Sequence, residues 1–474
     1  MLGLFGTLNL AARSLQTQMT GVEVSGQNLA NVNTTGYSRQ RVDIQTGPDV
    51  TTTIGPEGTG ANAVAIQQLV NSLLNGQIQD QSSVGGYWNA QQSALQMAQT
   101  NLGEFLNGTG SAGGTDGSST ATSSGLSAQL SGLFSAFQSL ATSPTSMTAR
   151  QSVIDQAQDL AMTFNQVNTQ LNGLSNTLNT SVSNDVGSAN QLLSAIANLN
   201  QEISSAEFEG GTANDLLDTR EQDLENLSQL VNIQTSTGNG NSVNVSIGGQ
   251  SLVSGNQVLD TLQTYDAGNG RLLVQTATGG VPLTLTGGSI QGSIDARDGT
   301  LATVQSGINI LASTLITQVN LYHNSGYSLT SSTGANFFNG NDAGSITVNQ
   351  ALVDNPALIQ ASDTGNAVGN NSVALQLAQL ASTTQGGLNN ETFSDAYSQT
   401  VAGLGNALQT ANDQVTNQTA VSSMLQAQRD SVSGVNVDEE MTNLMTFQRG
   451  YEASAQLVTT INQMMADILA MKTS

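Results

Sequence analysis

A chain of 474 residues has room for about three domains at roughly 150 residues each. With only 4% aromatic residues, its core must come from Leu, Val, Ile, Met and Ala, which suits thin, elongated layers. Charged residues are 9% of the chain, the net charge is −24 and cysteine is absent, which together exclude a nucleic-acid partner, a disulfide framework and thiol chemistry.

The N-terminus, MLGLFGTLNLAARSLQTQ, lacks the basic start and cleavage site of a signal peptide, so secretion would need a dedicated export machine. The same stretch opens a helix. Phe5, Ala12, Met19 and Gly26 recur every seven residues, with Leu8, Leu15, Val22 and Leu29 three positions after each, an a/d coiled-coil seam. Asn28, Asn31, Asn33 and Gly36 then favour a cap and a turn. Residues 37–66 read as extended chain with turns at Gly47-Pro48 and Gly55-Pro56.

Residues 61–107 are expected to be helical, and 107–125 a flexible Gly/Ser/Thr loop whose Asp116 lacks the companions of a calcium site. A long helix comes next, over about 150–208. Val153, Ala157, Leu160, Phe164, Val167, Leu171, Leu174 and Leu178 alternate steps of four and three; Val182 and Val186 add fours, and Ala189, Leu193 and Ile196 resume the heptad. Unbroken, it would reach roughly 80 Å, the length of a rod. Residues 212–231 form a further helix, acidic toward its start.

From 233 the period becomes two, through Val243, Val245 and Ile247, Leu272 and Val274, then Val281, Leu283 and Leu285. This marks a small antiparallel β domain, closed by GSIDARDG at 292–299. GNGNSVNVSIGG (238–249) has no lysine and no following helix, so it is a hairpin turn and not a phosphate loop. A helix through Val304, Ile308, Leu311, Leu315 and Val319 comes after it, then a mixed segment with a strand at Ile346 to Val348.

The last third is helical again, with a seam at Tyr397, Val401, Leu404, Leu408, Ala411 and Val415. The final helix starts at Asn436, with Glu439 three places on as in a capping box. One apolar stripe runs through Val437, Met441, Leu444, Tyr451, Ala455, Val458, Met465 and Leu469; a second, Phe447, Leu457, Ile461, Met464, Ile468 and Met471, lies beside it. A face that wide implies more than one neighbour. Burying five side chains of the second stripe is worth on the order of 8–15 kcal/mol before entropy. The two ends of the chain therefore look made to pair with each other and then with other copies.

The expected architecture is mainly α and elongated, α+β overall. Residues 1–50 with 431–474 form a terminal coiled-coil domain, 51–235 with 293–430 a helical rod-like domain, and 236–292 the inserted β domain. Residues 1–47 carry a net +1 and 431–474 a net −3, so the acidity lies in the solvated middle.

Catalytic groupings are poor. His323 is the only histidine and no G-x-S-x-G elbow accompanies it. Asp438, Glu439 and Glu440 suit the positive end of a helix dipole. No enzyme activity, cofactor or metal is expected, and no apolar run of roughly 18 residues suggests membrane insertion.

NLANVNTTGYSRQR at 28–41 and NVDEEMTNLMTFQRGYEASAQLVTTINQMM at 436–465 resemble the N- and C-terminal signatures of bacterial flagellar axial proteins. GYSRQ, DEEMTNL, FQRGYEAS and the internal NDLLDTREQDLENLSQLVNI (214–233) are most similar to the members of that family at the junction of hook and filament. The resemblance implies a structural subunit, exported unfolded through the flagellar apparatus and assembled outside the cell as a helical layer with copies of itself. Its partners would be the hook protein, the second hook–filament junction protein and an export chaperone. The first stripe, with Phe5, Leu8, Leu15, Met19, Val22 and Leu29, would form the subunit interface, and the second would meet a neighbour or the chaperone. Arg39 and Arg41 would bridge inner and outer layers or meet Glu439 or Glu440 on a neighbour; the alternative is a pair of solvated loop arginines. Hook or second-junction membership, or a secreted adhesin, are the competing readings.

Overall fold

The N-terminal heptads produce α1, Leu4–Ala30, in a computed structural model that describes residues 3–52, 55–102 and 125–473. The helix stops where the Asn31 N–H bonds back to the carbonyls of Gln27 and Asn28, and Gly36, at φ +82°, turns the chain outward. The chain then forms a ribbon. β1 (Gln40–Thr46) pairs antiparallel with β4 (Ala61–Gln68), with a bulge at Asp43/Ile44, and β2 (Val50–Thr52) pairs with β3 (Gly55–Glu57) at its tip.

The helix expected from residue 61 is thereby corrected. Residues 61–68 find a partner strand in β1, and tertiary pairing outweighs their local helical pattern. The helix proper, α2, runs Ser72–Leu102, its start set by Asn71, whose Oδ1 accepts from the N–H of Leu73 and Leu74. The loop at 107–125, with Asp116, lies outside the described residues except for Gly125.

α3, Leu126–Thr142, has no counterpart among the expected helices; it buries Leu126, Leu130, Leu133, Phe137 and Leu140. α4, Met147–Phe208, is a rod of 62 residues, about 90 Å long. All thirteen seam positions read from the sequence, Val153 through Ile196, are buried on it. α4 serves two cores. Its first half, to Leu178, packs with α3, the end of α2, α7 (Ala302–Asn324), α9 (Ser372–Gln379) and α10 (Phe393–Ser433). Its second half, Val182–Ala197, packs with α5 (Asn214–Leu230) and the β strands.

Those strands form a four-stranded sheet in the order β5 (Ile233–Thr237), β6 (Val243–Ile247), β7 (Gln250–Ser254), β8 (Gln257–Val258), and a pair, β9 (Leu262–Asp266) with β10 (Leu272–Thr276). The packing does not divide at 236 and 292. Val245, Ile247, Leu252 and Val274 share one core with Leu193, Ile196 and Leu227, so the strands are a layer on the rod and not a separate module. Nor do Val281, Leu283 and Leu285 make a strand; only a bridge between Gln275 and Pro282 forms there. GSIDARDG is not a closing loop either. α6 (Gly288–Asp295) passes through a π-helical turn, Ala296–Leu301, into α7. Arg297 fixes that turn: it is buried, donates to the Leu272 carbonyl of β10 and pairs with Asp298.

Beyond α7, β11 (Phe338–Asn339) pairs with β12 (Thr347–Val348), and a short helix α8, Gln350–Asp354, comes after them. α11, Val437–Thr473, returns antiparallel along α1. Asn436 Oδ1 caps it by accepting from Asp438 and Glu439 N–H. The expected capping-box partner, Glu439, instead pairs with Arg39.

Candidate functional site

α1 and α11 pair through a narrow seam of small and polar residues. Asn28 Nδ2 donates to Glu440 Oε2 at 3.2 Å, Gly21 faces the Phe447 ring, and Ser14 Oγ meets Ser454 Oγ at 2.9 Å. Each step is seven residues back on α1 and seven forward on α11, which is an antiparallel heptad register. A Cβ at Gly21 would lie 2.5 Å from Phe447 Cδ1, so the close approach requires glycine. Another side of α1 meets the ribbon, with Thr17 Oγ1 donating to the Ala61 carbonyl at 3.1 Å.

The a/d seam read from the sequence is therefore not the one that joins the two helices. Phe5 is 75% exposed and Met19 54%, while Leu8, Leu15, Val22 and Leu29 are half-buried. On α11, Val437, Met441, Tyr451 and Leu469 are exposed, and Leu444, Ala455, Val458 and Met465 half-buried. Of the second stripe, Ile461 is buried and Phe447 half-buried against α1; Leu457, Met464, Ile468 and Met471 are exposed. The hairpin thus keeps an apolar surface on both flanks of its seam, far more than a helix pair needs.

The hairpin is held to the body by a polar joint. Arg39 Nε meets Glu440 Oε1 at 2.7 Å and Arg39 Nη1 meets Glu439 Oε2 at 2.7 Å. Asn28 is fully satisfied: its Nδ2 donates to the Gln40 carbonyl as well as to Glu440, and its Oδ1 accepts from Gln40 N–H and the Tyr37 hydroxyl. Burial, then the carboxylates of Asp215, Asp218 and Glu440, push the Tyr37 hydroxyl up to about 12, so it stays a donor. The carboxylates that Arg39 meets belong to its own chain, not to a neighbour; Arg41, on β1, is exposed.

α5 is the beam under this joint. Asp218 accepts from Ser38 N–H, Asp215 from Gln40 Nε2, and on Asn214 the carbonyl accepts from Gln68 Nε2 while Nδ2 donates to the Ile66 carbonyl of the ribbon. Further along, Glu221 accepts from Gln79 of α2, Glu225 pairs with Arg429 of α10, and Arg220 donates to Asn200 of α4. Burial raises the carboxyls of Asp218, Glu221 and Glu225 above their usual range. A cleft of about 1050 Å³ opens beside the joint, lined by Tyr37, Arg39, Glu221, Glu225 and Arg429 among others.

Sequence reasoning missed the pairing of Asn28 with Glu440 and the anchoring row of α5. The available signal was the seven-residue spacing Ser14, Gly21, Asn28 opposite Glu440, Phe447, Ser454, of which a search for apolar residues finds only Phe447. His323 stands apart from all of this. Its Nδ1 bonds the Ala335 carbonyl at 2.7 Å and its Nε2 accepts from Gln360 N–H, so both nitrogens hold backbone. Among the described residues no cluster of His, Asp and Glu is arranged to hold a metal, and no helix is long and apolar enough to cross a membrane.

Two family descriptions match this chain: the helical domain of flagellar hook-associated protein FlgK, over residues 115–338, and the C-terminal region of the flagellar basal body rod FlgEFG proteins, over 426–471. The chain is accordingly a structural component of the bacterial flagellum. Within that class it is a homologue of flagellar hook-associated protein 1. It is 26% identical to that protein from Bacillus subtilis, over 99% of this chain and 98% of the relative. It is 24% identical to that of Salmonella typhimurium, over 98% and 99%. The fold is similar to the flagellar hook junction protein FlgK from Burkholderia pseudomallei, with a TM-score of 0.63 and 18% identity, covering 76% of this chain and 100% of that one.

Proposed function

We propose that this chain is the subunit that joins hook to filament, and that the flanks of the α1–α11 hairpin are its assembly surface. The observation that carries this reading is the apolar surface left on both sides of a seam that is already closed: Phe5, Met19, Met441 and Tyr451, and Leu457, Met464 and Ile468. Each hairpin would pack its flanks against the hairpins of neighbouring copies in a helical layer. The hook protein would lie on one side of that layer and the second junction protein on the other. The polar joint sets the angle between this inner layer and the acidic body, which faces solvent.

Before assembly the same flanks would be hidden by an export chaperone on α11, and the chain would leave the cell unfolded through the flagellar export apparatus. Unbranched methionines suit a surface that meets one partner and then another.

Deleting the gene tests the reading in cells. Hooks without attached filaments, with filament subunits escaping into the medium, are the expected result; normal filaments would overturn it.

A further inference from the structure

Methionine is the only sulfur-bearing residue of the chain, and six of its 11 methionines lie beyond residue 420. Besides Met471 near the end of α11, four sit exposed on the terminal hairpin: Met19 at 54%, Met441 at 42%, Met445 at 48% and Met464 at 52%. Solvent-open thioethers are the ones that two-electron oxidants reach. We propose that these four residues are a sulfoxidation site through which a peroxide blocks assembly, an inference that rests on the hairpin flanks being the assembly surface.

The step balances with hydrogen peroxide as the oxidant. The sulfur lone pair attacks one peroxide oxygen, the O–O bond breaks as the S–O bond forms, and the second oxygen leaves as water after taking up the proton. Sulfur is oxidised to the sulfoxide and peroxide is reduced.

The consequence differs between the free and the assembled protein. In the monomer the sulfoxide oxygen remains hydrated, so the fold is untouched. Against a neighbouring apolar flank it needs a donor. The hydroxyls of Thr442, Thr446, Thr459 and Thr460 on α11 already donate to the carbonyls four residues back, so they do not turn to meet it. Met97, Met147 and Met162 are also exposed but lie on α2 and α4, away from the hairpin, and their oxidation should be silent.

The test adds purified full-length protein, untreated or treated with hydrogen peroxide, to hooks isolated from cells that lack it. Binding is read by co-sedimentation, sulfoxide at each methionine by peptide mass spectrometry, and the fold by circular dichroism. Oxidised protein should remain folded and bind about tenfold less, in step with sulfoxide at the four hairpin positions. Methionine sulfoxide reductase should restore binding, and M19L/M441L/M445L/M464L should keep it through the same treatment. Undiminished binding by the oxidised protein, or a loss that follows sulfoxide at Met97, Met147 or Met162 instead, overturns the proposal. If the quadruple variant fails even untreated, the site-by-site correlation in the native chain decides. Untreated protein that does not bind hooks overturns the assembly reading itself, and the block with it.

Discussion

Arg39 and Glu440, 401 positions apart in the chain, meet at 2.7 Å in a pocket where the Glu440 side chain is only 2% exposed. The pair locks the exit of α1 to the first turn of α11. Removing Arg39 leaves a buried carboxylate with the Asn28 amide as its remaining side-chain partner.

Arg39→Gln should therefore destabilise the hairpin by about 3 kcal/mol, read as faster amide hydrogen exchange in α1 and α11 with the body unchanged. Arg41→Gln, at an exposed position, should stay within about 0.5 kcal/mol of the native protein. Adding Glu440→Gln to Arg39→Gln should recover part of the loss, because the uncompensated charge goes.

Gly21 gives a steric test of the seam. Gly21→Val drives side-chain atoms into the Phe447 ring and should cost about 1–3 kcal/mol of hairpin stability by the same exchange measurement. Phe447→Ala alone should also weaken the hairpin, yet the double variant should lose less than the sum of the two. Strict additivity would mean that Gly21 and Phe447 do not touch.

His323 predicts a pH dependence of the body. Burial first, with Arg150 nearby, lowers its pKa from 6.5 to about 4, against a smaller raising effect from the Ala335 carbonyl. The folded state thus prefers the neutral ring. Its contribution is whole above pH 6.5 and is lost progressively as the pH falls toward about 4, by roughly 3 kcal/mol. The buried carboxyls of Asp218, Glu221 and Glu225 act in the opposite sense. Their raised values make the joint gain stability as the pH falls through the carboxylate range. Thermal unfolding between pH 7 and 4 should show a smaller acid loss for His323→Gln than for the native protein.

Arg150 is fully buried without a carboxylate, and burial lowers its guanidinium to about 10. It donates to the carbonyls of Pro144 and Ile359 at 3.0 and 2.6 Å, tying the start of α4 to the segment after α8. Arg150→Ala orphans those acceptors and should cost about 3 kcal/mol in denaturant unfolding of the body. Arg150→Lys should recover only part of this, since an ammonium lacks the planar fork.

Much of the fold was legible because long heptads dominate it. The α4 seam could be read residue by residue from Val153 to Ile196. The terminal hairpin was legible as a pairing but not in its register. Apart from Phe447, the joining seam is Ser14, Gly21, Asn28, Glu440 and Ser454, residue types that a hydrophobic pattern discards, and much of the stripes it does find stays exposed or half-buried. Ala61–Gln68 fell largely where two readings overlap, extended chain over 37–66 and helix over 61–107, and pairing with β1 decides for the strand. α3 was overlooked because its Ser and Gly residues dilute an apolar face that only α4 makes evident. The role of α5 was invisible for a related reason: its carboxylates look like a solvated face until Ser38, Gln40, Gln79 and Arg429 are placed around them.

The hairpin flanks are tested most directly by charging one of them without touching the seam. Leu457→Glu with Ile468→Glu places two carboxylates on exposed positions of α11, so the purified variant should fold and melt like the native chain. Returned to cells that lack the protein, it should leave hooks bare, and it should not co-sediment with isolated hooks. Full-length filaments on cells carrying that folded variant would contradict the assignment of the flanks as the surface through which copies join.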